Sequence, residues 1–71
     1  MRVIATKLLS KLSSFYQNGD IDMEEKNKLG RIISESVKKN DKQFFVNEII
    51  HLKKISFYTS EVYEELLNLI Q

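Results

Sequence analysis

Apolar residues recur at helical spacing along almost the whole chain, and no proline interrupts them. Over residues 2–15, Ile4, Leu8, Leu12 and Phe15 fall on one stripe, with Lys7 and Lys11 on the opposite side. That is the pattern of an amphipathic helix. Gln17-Asn18-Gly19-Asp20 then reads as a turn, because Gly and Asn tolerate the left-handed backbone that a reversal requires. A second helix begins after Asp22, a cap with Glu25 three residues on in the manner of a capping box. Asp22, Glu24 and Glu25 complement the positive end of its dipole, and Lys38 and Lys39 the negative end. Its apolar stripe is Leu29, Ile32, Ile33 and Val37.

Asn40-Asp41 breaks the pattern and offers a cap for a third helix over 42–54, whose apolar residues are Phe45, Val46, Ile49, Ile50 and Leu52. A second polar break at 56–60 precedes a fourth helix, capped by Thr59 or Ser60, with Val62, Leu66, Leu69 and Ile70 on one side. Gly30 lies inside the second helix, where glycine costs about 0.5–1 kcal/mol relative to alanine. Either another helix crosses close by, or the glycine is simply tolerated. Four helices with short connections predict one all-α domain, two helix-loop-helix hairpins packed together.

With 71 residues, such a domain buries only about 60% of the surface its unfolded chain exposes. There are no cysteines and one histidine, so neither disulfides nor a His/Cys zinc site can supplement the core. Stability has to come from apolar packing. The longest uninterrupted apolar runs are three residues, as at Phe44-Phe45-Val46, and nothing predicts a membrane span. A cytoplasmic location is the default expectation. Net charge is +1, far from the balance of a dedicated nucleic-acid binder.

The charge is nevertheless uneven. Residues 1–19 hold Arg2, Lys7 and Lys11 and no acid, whereas 56–71 hold Glu61, Glu64 and Glu65 and no base. An acid-free, amphipathic, serine-containing N-terminus is also the composition of a mitochondrial presequence. The expectation adopted is that it forms the first helix of the fold.

Little of the chemistry on offer is catalytic. Glu48 and His51 form an i, i+3 pair of the kind used in carboxylate-bridged di-iron bundles, but such sites need the pair twice and the chain has one histidine. A nucleophilic triad lacks a second plausible base, and there is no Gly-rich phosphate loop. No enzymatic activity and no cofactor are expected. The three tyrosines and four phenylalanines could stack on single-stranded nucleic acid. Most of them sit on the apolar stripes, which assigns them to the core. Lys38, Lys39 and Lys42, the densest basic cluster, read as a solvated helix end.

The segment Ser14 to Glu25 resembles an EF-hand loop. That loop needs Gly at its sixth position for the sharp turn and a bidentate Glu at its twelfth; an apolar residue usually stands eighth. Gly19, Glu25 and Ile21 occupy those places. The two loops of a calmodulin-like lobe repeat at about 36 residues, a step that carries Ile21 and Glu25 onto Phe57 and Glu61. Phe45, Val46 and Ile49 take the apolar places before this second loop, and Val62, Leu66 and Leu69 those after it. Ser60-Glu61-Val62-Tyr63-Glu64-Glu65-Leu66-Leu67 is similar to the exiting helix of a myosin light chain.

Calcium takes 6 to 8 oxygen ligands, and the departures from the pattern remove most of them. Ser14 and Tyr16 stand at the first and third positions, leaving Asn18, Asp22 and Glu25 as side-chain donors of a degenerate loop. The second loop places Ile50, Leu52 and Lys54 at its first, third and fifth positions, and Ile55 where Gly belongs. The apolar stripe of the first helix, at Leu8, Leu9 and Leu12, also sits one residue early.

The resemblance therefore implies a light-chain-like lobe that works without calcium. Such a lobe grips an amphipathic, net-basic target helix, for myosin light chains the IQ-type helix of the motor neck. The groove would be lined by Leu12, Phe15, Leu29, Ile33, Phe45, Ile49, Leu66 and Leu69, with Glu61, Glu64 and Glu65 facing the basic residues of the target. The four-helix pattern also resembles the helical domain at the end of the outer coat subunit of coat protein complex II, found again in the steroid receptor RNA activator protein. That resemblance implies a metal-free interaction bundle. A small RNA- or ribosome-associated protein using the Lys and Arg of helices one and two is the third alternative.

Overall fold

The computed structural model describes residues 1–55 and 60–70. Four helices account for nearly all of them: α1 (Arg2–Gln17), α2 (Met23–Lys39), α3 (Lys42–Ile55) and α4 (Ser60–Ile70). There is no strand among the described residues. The all-α class and the four-helix order are as the spacing predicts, with α1 extending two residues past the expected end.

Two connections show why the chain turns where it does. After α1, Gly19 takes φ +80°, its N–H donates to the Tyr16 carbonyl (3.1 Å), and the Asp20 N–H donates to the Phe15 carbonyl (2.8 Å). After α2, Asn40 takes φ 49°, its N–H donates to Val37 O (3.0 Å), and the Asp41 N–H donates to Ser36 O (3.0 Å). Both are Schellman ends, in which a left-handed residue lets its own N–H and the next one satisfy carbonyls the helix leaves open. Each stop is followed at once by a start. The Asp22 carboxylate accepts the Glu25 N–H (2.8 Å), and the Asp41 carboxylate accepts the Phe44 N–H (3.1 Å). These are N-cap bonds, each worth about 1 kcal/mol. Thr59 and the Ser60 side chain, expected to cap α4, lie outside the described residues, as does Phe57.

The helices form a ring in which α1 packs on α2 and α4, and α3 packs on the same two. Backbones of the diagonal pairs, α1 with α3 and α2 with α4, do not approach one another among the described residues. The core fills the ring: Ala5, Leu8, Leu12 and Phe15 from α1, Leu29 and Ile33 from α2, Phe45, Ile49 and Leu52 from α3, Val62, Tyr63, Leu66 and Ile70 from α4, and Ile21 from the first turn. Ile4, Ile32, Val37 and Val46 are half-buried against it. Fully burying a side chain of this size is worth about 1.5–3 kcal/mol, so these stripes hold the four helices together.

Three positions differ from the sequence pattern. Ile50 and Leu69 are exposed, while Tyr63 is completely buried. In α4 the inward face is centred between Val62 and Tyr63, which turns Leu69 to the flank of the helix. Ser36 continues the inward stripe of α2 and is also fully buried; its hydroxyl donates to the Ile32 carbonyl at 2.8 Å, so it carries no unmet hydrogen bond into the core. The close helix crossing offered as a reason for Gly30 is absent, since a Cβ built there meets nothing within 4 Å. No helix of the described residues is long and apolar enough to cross a membrane.

Candidate functional site

The turn that resembles an EF-hand loop is held by its own backbone bonds, Asn18 N–H to Ser14 O, Gly19 N–H to Tyr16 O and Asp20 N–H to Phe15 O. Gly19 has the positive φ that the sharp turn requires, and Ile21 is buried. Of the three remaining oxygen donors, Asn18 is exposed and Asp22 is occupied as the cap of α2. Glu25 turns inward, where its carboxylate accepts the hydroxyl of Tyr63 from α4. Among the described residues, no three His, Cys, Asp or Glu side chains are grouped so as to hold a metal ion. His51 is exposed and Glu48 half-buried one turn away on α3.

Seven of the eight residues assigned to a target-gripping groove stand in the closed core: Leu12, Phe15, Leu29, Ile33, Phe45, Ile49 and Leu66. Leu69 alone of the eight lies at the surface. The acidic face of α4 is partly engaged by the chain's own bases. Glu64 pairs with Lys53 (3.0 Å), Glu65 pairs with Lys11 (3.7 Å), and Glu61 is exposed. All four partners are solvated, which limits each pair to about 0–1 kcal/mol. The basic cluster at the end of α2 is solvated as well, with the Lys39 ammonium 4.0 Å from the centre of the Phe44 ring.

The sequence reading did not anticipate a groove on the outer side of α1 and α2. It encloses about 570 Å³ and is lined by Leu9, Leu12 and Ser13 from α1 and by Lys26, Asn27, Gly30, Arg31 and Ser34 from α2. Two small residues one turn apart, Gly30 and Ser34, leave the space open, and Leu9 shows 46% of its surface into solvent beside them. The Lys26 ammonium lies 5.3 Å from the centre of the Tyr16 ring, which sets a cation against an aromatic toward the turn. The sequence signal was there in retrospect: a leucine adjacent to the core stripe of one helix and an interior glycine in the next.

No protein-family model matches the chain, and no curated protein or solved structure is significantly similar to it. The functional reading therefore rests on the geometry and chemistry of its own residues.

Proposed function

We propose that this protein is a non-enzymatic protein-interaction module, a light-chain-like lobe that holds a basic amphipathic helix without calcium. The observation that carries the reading is the first turn. Gly19 takes a left-handed backbone and Ile21, two residues on, is buried, the two features the EF-hand pattern asks of those positions. The partition into two hairpins closed into a ring is consistent with a single lobe. The degenerate donor set of Asn18, Asp22 and Glu25, with Glu25 committed to Tyr63, accounts for a lobe that does without the ion.

In the closed ring the gripping surface is the core itself, so binding requires the helix pairs to part. A target can shift that equilibrium only by its preference for the open form. The test is a synthetic IQ-type basic helix titrated into the protein by calorimetry in calcium and in EDTA. Binding of equal affinity in both, with a negative heat-capacity change from apolar burial, is the expected result. No binding in either buffer overturns the helix-gripping mode.

The closed core also favours a second reading, a coat-type helical bundle that binds its partner through a fixed outer surface. Recovery of the bound partner from the source cell distinguishes the two, a motor heavy chain in one case and a coat component in the other; ribosomal proteins would point instead to the RNA-associated alternative.

A further inference from the structure

We infer that the groove on the outer side of α1 and α2 is a docking site for an acidic amphipathic helix of a partner protein, an inference independent of the light-chain reading. Two of its residues are unexplained by the fold. Gly30 sits in a helix interior, where glycine is unfavourable, and no neighbouring atom requires it, because an added Cβ meets nothing within 4 Å. Leu9 is a large aliphatic side chain left about half-exposed against that opening. A groove kept open at this position, with Leu9 as its exposed apolar side chain above the buried Leu12, serves an external side chain.

The charges along it specify the kind of chain that supplies that side chain. Lys26 and Arg31 are the charged residues lining the groove, and both are cations. Ser13, Asn27 and Ser34 contribute neutral polar groups. The α2 side runs from Lys26 to Ser34, which at 1.5 Å per residue is about 12 Å, or two helical turns. The matching occupant presents one or two aliphatic anchors at i, i+4 and carboxylates that reach Lys26 and Arg31 on either side. Two cations and an exposed leucine, on a chain of net charge +1, are too little for a nucleic-acid backbone.

The probe is a synthetic helix of about 15 residues, the length at which isolated helices become stable, with leucines at i, i+4 flanked by glutamates. Its control carries lysine in place of each glutamate. Titrated into the isotopically labelled full chain, the glutamate helix is expected to give saturable amide shifts at Leu9, Ser13, Asn27, Gly30 and Ser34, weakening with salt. Gly30→Leu fills the groove from a position with room for a side chain. It is expected to keep or raise the melting temperature while weakening binding by roughly tenfold or more. Lys26→Glu with Arg31→Glu, both outside the core, should turn the preference toward the lysine helix.

Several results overturn the inference. They are no saturable shift with the glutamate helix, equal binding of the lysine helix to the unaltered protein, or undiminished binding to a folded Gly30→Leu variant. Tighter capture of a single-stranded RNA probe by the same residues, or self-association of the free protein through this groove in sedimentation, also overturns it. The basic IQ-type helix is a different probe, so failure of either proposal leaves the other standing.

Discussion

The Tyr63 hydroxyl donates a hydrogen bond to the Glu25 carboxylate, joining α4 to the first turn of α2 across the ring. The two helices are diagonal neighbours whose backbones do not otherwise meet among the described residues. Tyr63 is fully buried and Glu25 nearly so, which makes this a polar contact between helices inside a mostly apolar core. In such surroundings a hydrogen bond favours the packing that makes it, because a buried oxygen left without a partner is costly.

Tyr63→Phe tests that contact with the smallest possible change. The ring still fills its place, but the carboxylate loses its donor, at a cost of about 1–3 kcal/mol. For a domain of this size each kcal/mol lowers the melting temperature by roughly 4–8 °C. Thermal unfolding followed by circular dichroism should show such a drop for Tyr63→Phe and for Glu25→Ala. The double variant should lose less than the sum, since the two residues share one interaction. Fully additive losses would mean that the contact contributes nothing of its own.

The two glycines should respond oppositely to the same substitution. Gly19 has φ +80°, so Gly19→Ala forces a Cβ into the left-handed region at a cost of about 1–2 kcal/mol. Gly30 has ordinary helical backbone and open space around its Cα, so Gly30→Ala should stabilise by about 0.5–1 kcal/mol. Chemical denaturation of both variants beside the unaltered protein measures the pair of signs. A destabilised Gly30→Ala would contradict the open groove.

How far the sequence foretold these features depends on how local their causes are. The limits of α2 were legible because Asp22, Glu25, Lys38, Lys39 and Asn40 act within one turn of the helix end they mark. Leu8, Leu12, Leu29, Ile33, Phe45 and Ile49 were legible as core because helical spacing alone puts them on one side. Tyr63 and Leu69 were not. Both lie near the edge of the apolar arc of α4, and helical spacing alone does not say that Tyr63 turns inward, where its hydroxyl meets an acceptor 38 residues away. Glu25 was legible as part of a helix start but not as the partner of a tyrosine, for the same reason. For Gly30 the sequence leaves a close helix crossing and a tolerated glycine both open, and only the course of the neighbouring helices shows that it lines a groove.

Calcium should have no effect on stability. A ligand that binds the native state raises the melting temperature by mass action, and a sensor site would do so well below the millimolar range. Here Asp22 caps α2 and Glu25 receives Tyr63, so binding would have to break native contacts first. Melting curves in about millimolar calcium and in EDTA should superimpose. A calcium-dependent rise, removed by Asp22→Asn, would restore the loop as an ion site.

The helix-gripping mode makes its sharpest prediction at two leucines one turn apart on α4. Leu66 is fully buried, and Leu66→Ala should cost about 2–5 kcal/mol, a large share of the stability of so small a domain. Leu69 is 37% exposed at the flank of the same helix, so Leu69→Ala should change stability by no more than about 0.5 kcal/mol. If a basic helix is held against α4, Leu69→Ala should weaken its binding with the melting temperature of the free protein unchanged. The acids beside it supply the second half of the test. Changing Glu61, Glu64 and Glu65 together to glutamine removes the solvated pairs with Lys53 and Lys11, which hold little stability, and takes away the charge that would steer a basic target. Association of the IQ-type peptide with that variant should be slower and less sensitive to salt. Stopped-flow binding at two ionic strengths reads both quantities. Should Leu69→Ala and the glutamine variant bind the peptide like the unaltered protein, the acidic face of α4 is not where a target helix lies.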